Sequence, residues 1–194
     1  MRTGVMGGTF DPIHMGHLLL ADTVRDECGL DRVIFIPAFL PPHKTAYPVS
    51  DPVHRLAMAA LAAQGSGNLS VSDCEIKRGG VSYTVDTLRT LCGLPEIRGD
   101  DLFLIIGMDN LLDLHTWRDP ESLFRMARVI VMDRPGVEAE TADRRFLDRT
   151  LRVHTPLIQI SSTEIRSRVK NGKSIRFWVH PAVEGYIRRN GLYT

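Results

Sequence analysis

The sequence predicts an α/β fold: a doubly wound parallel sheet with helices on both faces, in a single domain covering residues 1–194. Three observations carry this expectation. Strand-like and helix-like segments alternate from one end to the other, as parallel strands joined by crossover helices require. The strands are continuous apolar runs, VIFI at 33–36, LFLII at 102–106 and VIVM at 129–132, and not alternations, the mark of strands covered on both faces. No internal repeat, low-complexity tract or Pro/Gly/Ser-rich linker divides the 194 residues.

The first strand opens at Val5 and ends in Gly7-Gly8, and a helix follows over 16–26 with Leu18, Leu19, Ala21 and Val24 apolar. Pro37 stops the second strand. Ser50-Asp51-Pro52 places a capping residue before a proline in the first helical turn, so an alanine-rich helix runs from there to about Gln64-Gly65. A strand is expected at 69–75 and a helix at 84–92 closed by Gly93; the LFLII strand comes next, and Asp119-Pro120 then opens a short helix. The last strand is expected at 157–160, with helices at 162–171 and 181–190. The polar stretch 136–149 reads as a solvated excursion.

Composition narrows the function. Lys and Arg number 24 against 23 Asp and Glu, a formal net charge of +1, which gives no general pull towards nucleic acid or an anionic membrane. Any polyanion must be held by a local site. Cys28, Cys74 and Cys92 are an odd count without C-x-x-C spacing, which argues against a disulfide framework and a four-cysteine zinc site. The longest apolar run, LAMAALAA at 56–63, is far short of the ~20 residues a membrane span needs. A reduced, cytoplasmic protein is expected.

In doubly wound sheets ligands bind at the carboxyl ends of the strands. The first such loop is Gly7-Gly8-Thr9-Phe10-Asp11-Pro12-Ile13-His14-Met15-Gly16-His17. Its glycines let backbone approach a ligand, and its amides with the following helix start form a seat for phosphate. His14 and His17, three apart across a glycine, can face one spot and donate hydrogen bonds to oxygens that gain charge in a transition state. A strand-ending Gly-Gly is more often a plain turn, and a His-x-x-His pair suits a metal. No carboxylate or cysteine at ligand spacing completes a metal site, so none is assigned. G-x-x-x-x-G-K-[ST] and G-x-G-x-x-G are both absent.

A second phosphate seat is written at Ile160-Ser161-Ser162-Thr163-Glu164-Ile165-Arg166. Ser161 and Glu164 form an S-x-x-E capping box, hydroxyls crowd the helix start, and Arg166 carries a fork that fits phosphate oxygens.

The segment GGTFDPIHMGH resembles the H-x-G-H signature of the nucleotidylyltransferase superfamily, and with the segments that follow it resembles the bacterial nicotinate-nucleotide adenylyltransferases over nearly the whole chain. The resemblance implies a Rossmann-like fold and the reaction of ATP with nicotinate mononucleotide to nicotinate adenine dinucleotide and pyrophosphate, in NAD biosynthesis. Mg²⁺ is expected to arrive with ATP. ISSTEIR resembles the family motif that holds the β- and γ-phosphates. Pro41-Pro42-His43-Lys44 resembles the P-P-H-K loop, in which Lys44 meets phosphate. Ser82-Tyr83-Thr84-Val85-Asp86-Thr87-Leu88 resembles the segment whose amides meet the pyridine carboxylate.

Catalytic roles are therefore expected of His14, His17, Lys44 and Arg166. ATP binding is expected of Gly7, Gly8, Thr9, Phe10, Gly107, Asp109, Ser161, Ser162 and Thr163, alongside His14, His17 and Arg166. Acceptor binding is expected of Lys44, Tyr83, Thr84, Trp117 and, more weakly, Arg134. Gly107-Met108-Asp109 departs from the family's small middle residue, and Met108 is expected to bear on adenosine packing. Family members often self-associate, which leaves a homo-oligomer open. Competing readings are a nicotinamide-preferring enzyme, phosphopantetheine adenylyltransferase, a cytidylyltransferase and a non-catalytic nucleotide sensor. SYTVDTL and Trp117 argue against the second, ISSTEIR against the third, and the intact histidines with Lys44 and Arg166 against the last.

Overall fold

Six parallel strands form the sheet in the order β3-β2-β1-β4-β5-β6. They are β1 (Arg2–Gly8), β2 (Arg32–Pro37), β3 (Leu69–Val71), β4 (Asp101–Gly107), β5 (Arg128–Asp133) and β6 (Thr150–His154). The computed structural model describes residues 1–42, 49–133 and 142–194. Successive strand residues point to opposite faces. On β4, Leu102, Leu104 and Ile106 enter one core and Phe103 and Ile105 the other, so an uninterrupted apolar run is what this position demands.

Helices α1 (Met15–Glu27), α2 (Pro52–Ala63), α8 (Ser162–Lys170) and α9 (Pro181–Arg189) cover one face. Helices α3 (Cys74–Arg78), α4 (Thr84–Gly93), α5 (Met108–Leu112), α6 (Pro120–Met126) and α7 (Arg144–Leu147) cover the other. Asp51 caps α2 as its position before Pro52 predicts, accepting from the Val53 amide at 2.8 Å. The strand order reverses between β1 and β4, which opens a crevice at their carboxyl ends.

Four expectations need correction. The third strand ends at Val71, because Ser72 Oγ takes the Cys74 amide at 3.3 Å and turns the chain into α3. Residues 157–160 form no strand; the last strand is β6, whose outer position leaves Leu151 and Arg152 exposed and therefore hides the apolar run that marks the inner strands. The polar stretch at 136–149 ends in α7, which buries Phe146 in the core. Met108 is fully buried beside Leu111 and Leu114, so its bulk is absorbed by the core and not by a nucleotide site.

Candidate active site

Gly7 and Gly8 at the end of β1 and Gly107 at the end of β4 face each other across the crevice and line a cavity of about 420 Å³. Thr9 and His17 line it from the first loop, and Tyr83, Thr84 and Trp117 from the other helical layer. These expected residues come together in one space. Ser82, the first residue of the SYTVDTL segment, also lines it, as do Glu75, Asn110 and Arg118, for which the sequence motifs predict no role. Arg118 lies over the Tyr83 ring at 4.8 Å, a cation–π contact whose partners stand 35 positions apart and leave no local signature.

His14 is the N-cap of α1, and its ring stacks on that of His17 with centroids 3.7 Å apart and planes inclined by 24°. The backbone amide of His14 donates to Nδ1 of His17 at 3.2 Å. An Nδ1 that accepts cannot carry the proton, so neutral His17 holds it on Nε2 and offers a donor there; the tautomer follows from the hydrogen-bond pattern. His14 is 8% exposed, and burial pulls its pKa down from 6.5 to about 4. It is therefore neutral at pH 7. Its Nδ1 is buried without a hydrogen-bond partner among the described residues. That atom packs against Gly16, where a Cβ would come within 3.0 Å, so a glycine is needed between the histidines to let the ring lie there.

Phe10 supports His17 from beside, edge-on at 5.0 Å, and its own side chain is buried against Phe35. Its backbone sits at φ 51°, a left-handed conformation that is unusual for a non-glycine residue. A Cβ on Gly8 would fall 2.8 Å from the Phe10 ring. Gly8→Ala is thus expected to destabilise the fold by about 1–3 kcal/mol through overpacking, measured by urea unfolding, and to lower turnover by moving the ring that supports His17. Parental stability would show that Phe10 yields without cost.

The second phosphate motif shares this face. Ser161 caps α8, accepting from the Glu164 amide at 3.1 Å, as the capping box predicts. Ser162 Oγ donates to the Pro12 carbonyl at 2.9 Å, and Arg166 Nη1 donates to the Asp11 carbonyl at 2.8 Å. Thr163 Oγ1 takes the other arm of Arg166 at 3.3 Å. The start of α8 is in this way tied to the first loop. Asp109 lies exposed in the first turn of α5, directly after Gly107. On the opposite helical layer, α4 begins with Tyr83 as N-cap and no side-chain hydrogen bond to its first amides. Lys44 and Arg134 lie outside the described residues. Among the described residues, no group of three or more His, Cys, Asp or Glu could hold a metal ion, and no helix is long and apolar enough to cross a membrane.

A strand-order switch flanked by two helix starts and a stacked pair of imidazoles is an arrangement suited to a nucleotide and to group transfer at phosphorus. Comparison with known proteins agrees with this. The cytidylyltransferase-like family model matches residues 5–168. A protein of Thermomicrobium roseum named "Probable nicotinate-nucleotide adenylyltransferase" is 44% identical over 197 residues, covering 99% of this chain and 91% of the relative. One of the same name from Thermus thermophilus is 44% identical over 194 residues and covers 100% of both chains. The solved Plasmodium falciparum nicotinic acid mononucleotide adenylyltransferase complexed with NaAD shares the fold, with a TM-score of 0.77 at 20% identity, covering 99% of this chain and 97% of that one. The chain belongs to the cytidylyltransferase-like family and, within it, to the nicotinate-nucleotide adenylyltransferases.

Proposed function

We propose that the protein transfers the adenylyl group of ATP to nicotinate mononucleotide, giving nicotinate adenine dinucleotide and pyrophosphate. The observation that carries this is His17 in the lining of the crevice, stacked on the buried His14 and held as an Nε2–H donor by the His14 amide. A 5′-phosphate oxygen of the acceptor attacks the α-phosphorus of ATP in line. As that P–O bond forms, the bond from the α-phosphorus to the bridging oxygen breaks, and its electrons leave with pyrophosphate. Such a transfer asks for positioning and charge stabilisation, and it needs no side-chain nucleophile.

In this reading Gly7, Gly8, Thr9, Gly107 and Asp109 receive the nucleotide, and the Phe10 side chain supports His17 from the core. Ser161, Ser162 and Thr163 seat the β- and γ-phosphates at the α8 N-terminus. Arg166 and Lys44 offset the charge of the phosphates, and Mg²⁺ enters as part of the ATP substrate. Trp117 and Tyr83 hold the pyridine ring, Arg134 is a further acceptor residue, and the start of α4 at Thr84, without a side-chain cap, favours a carboxylate over a carboxamide.

Pyrophosphate release with ATP, Mg²⁺ and either mononucleotide tests this. Preferential turnover of nicotinate mononucleotide is expected. Preference for the nicotinamide form would overturn the acceptor, and ATP binding without release would overturn the transfer.

A further inference from the structure

Arg55 stands near the start of α2, four residues after its N-cap Asp51, with only 1% of its surface exposed. Desolvating a guanidinium is costly, and an apolar side chain would fill the same space without that cost. Burial lowers its pKa, while the negative charge of Asp11 opposes that shift. No ion-pair partner of Arg55 occurs among the described residues; its donors go to main-chain carbonyls instead. Nε meets Ser50 O at 2.9 Å, Nη1 meets Thr9 O at 2.8 Å and Nη2 meets Phe39 O at 3.0 Å.

These carbonyls come from functionally distinct places. Thr9 is in the loop that carries the histidines. Phe39 and Ser50 bracket the segment that contains Lys44. A further set of contacts extends the frame. Phe39 N donates to Ser82 Oγ at 2.9 Å, and Ser82 N donates to Leu40 O at 2.9 Å, immediately before the start of α4. Ser50 N donates to Asp11 Oδ2 at 3.2 Å, and Tyr193 Oη donates to Asp11 Oδ1 at 2.6 Å. Asp11 also presents its carbonyl to Arg166. One planar fork thus reaches the ATP loop directly and the acceptor helix through one intervening residue.

We infer that Arg55 is a positioning residue that fixes the offset between the ATP-binding loop and the acceptor-binding segments, and so the alignment of attacking oxygen and α-phosphorus. The inference rests on the activity proposed above. An error of about 1 Å in that alignment costs on the order of 10²-fold in rate. Lysine cannot reproduce the fork, because its single ammonium cannot span three divergent carbonyls.

The test compares the parent protein with Arg55→Met and Arg55→Lys. It measures kcat and KM for pyrophosphate release, the Kd of ATP alone, and hydrogen–deuterium exchange by peptide. Both variants are expected to lose about 100-fold in kcat while binding ATP within about threefold of the parent. Exchange should rise at the described flanks of the Lys44 segment, around Phe39 and Ser50, and at Thr9, but not in β5 or α6. Turnover within about threefold of the parent, or faster exchange across the whole chain with ATP affinity lost in proportion, would overturn the inference. If Arg55→Met does not fold, Arg55→Lys, which keeps a buried cation, decides. A parent protein without turnover would overturn the proposed activity alone, and the exchange pattern would still decide whether Arg55 holds these segments together.

Discussion

His17→Ala is expected to lower kcat for pyrophosphate release by about 10²–10³-fold, the ~3–4 kcal/mol that one well-placed transition-state donor supplies. The expectation follows from how the ring is prepared. Its Nδ1 is occupied by the His14 amide, its face is stacked on His14 and its flank is held by Phe10. Little reorganisation remains when the phosphate oxygens gain charge, so the Nε2–H contributes in the transition state and not mainly in ground-state binding. KM for ATP should accordingly move much less than kcat. A kcat loss below tenfold in steady-state assays would show that His17 does not face the transferring phosphate.

Acid should destabilise the protein through His14. Its pKa is about 4 in the folded state against an ordinary 6.5. Between those values the unfolded chain takes up a proton that the folded chain refuses, so stability is complete above pH 6.5 and falls as the pH drops towards 4. A shift of this size corresponds to about 3 kcal/mol in total. Urea unfolding of the parent and of His14→Gln at about pH 7 and about pH 4.5 isolates the contribution, since the other acid-titrating groups are common to both. The parent should lose about 2–3 kcal/mol more than the variant across that interval. Equal losses would mean that His14 becomes charged without unfolding.

The parts of the fold that were legible in the sequence are those where a local pattern and the tertiary environment agree. The inner strands are buried on both faces and are written as apolar runs, which is why β2, β4 and β5 are found with nearly their observed limits. β6 has a neighbour on one side only and keeps a single buried residue, Val153, so nothing in its local pattern marks it. The loop from Gly7 to His17 was legible because its glycines and histidines are needed in sequence order. Arg55 was not. An arginine in an amphipathic helix reads as part of the solvated face, and its three partners lie 46, 16 and 5 positions away. Phe146 was hidden in the same manner, a lone aromatic residue in a polar stretch whose burial depends on the helical layer beneath it.

The central pairing of the sheet also decides how the cleft is divided along the chain. β1 pairs with β4 in parallel, joining residues 2–5 to residues 101–104, and the crevice is the gap between the ends of these two strands. Half of the molecule therefore carries half of a cleft. The histidines stand at the start of α1, after β1, while the opposite wall, Gly107 and Asn110, comes from the end of β4 and from α5. A stretch of chain that ends before β4 therefore holds the histidines without the opposite wall, and the cleft exists only where the two halves of the sheet are paired.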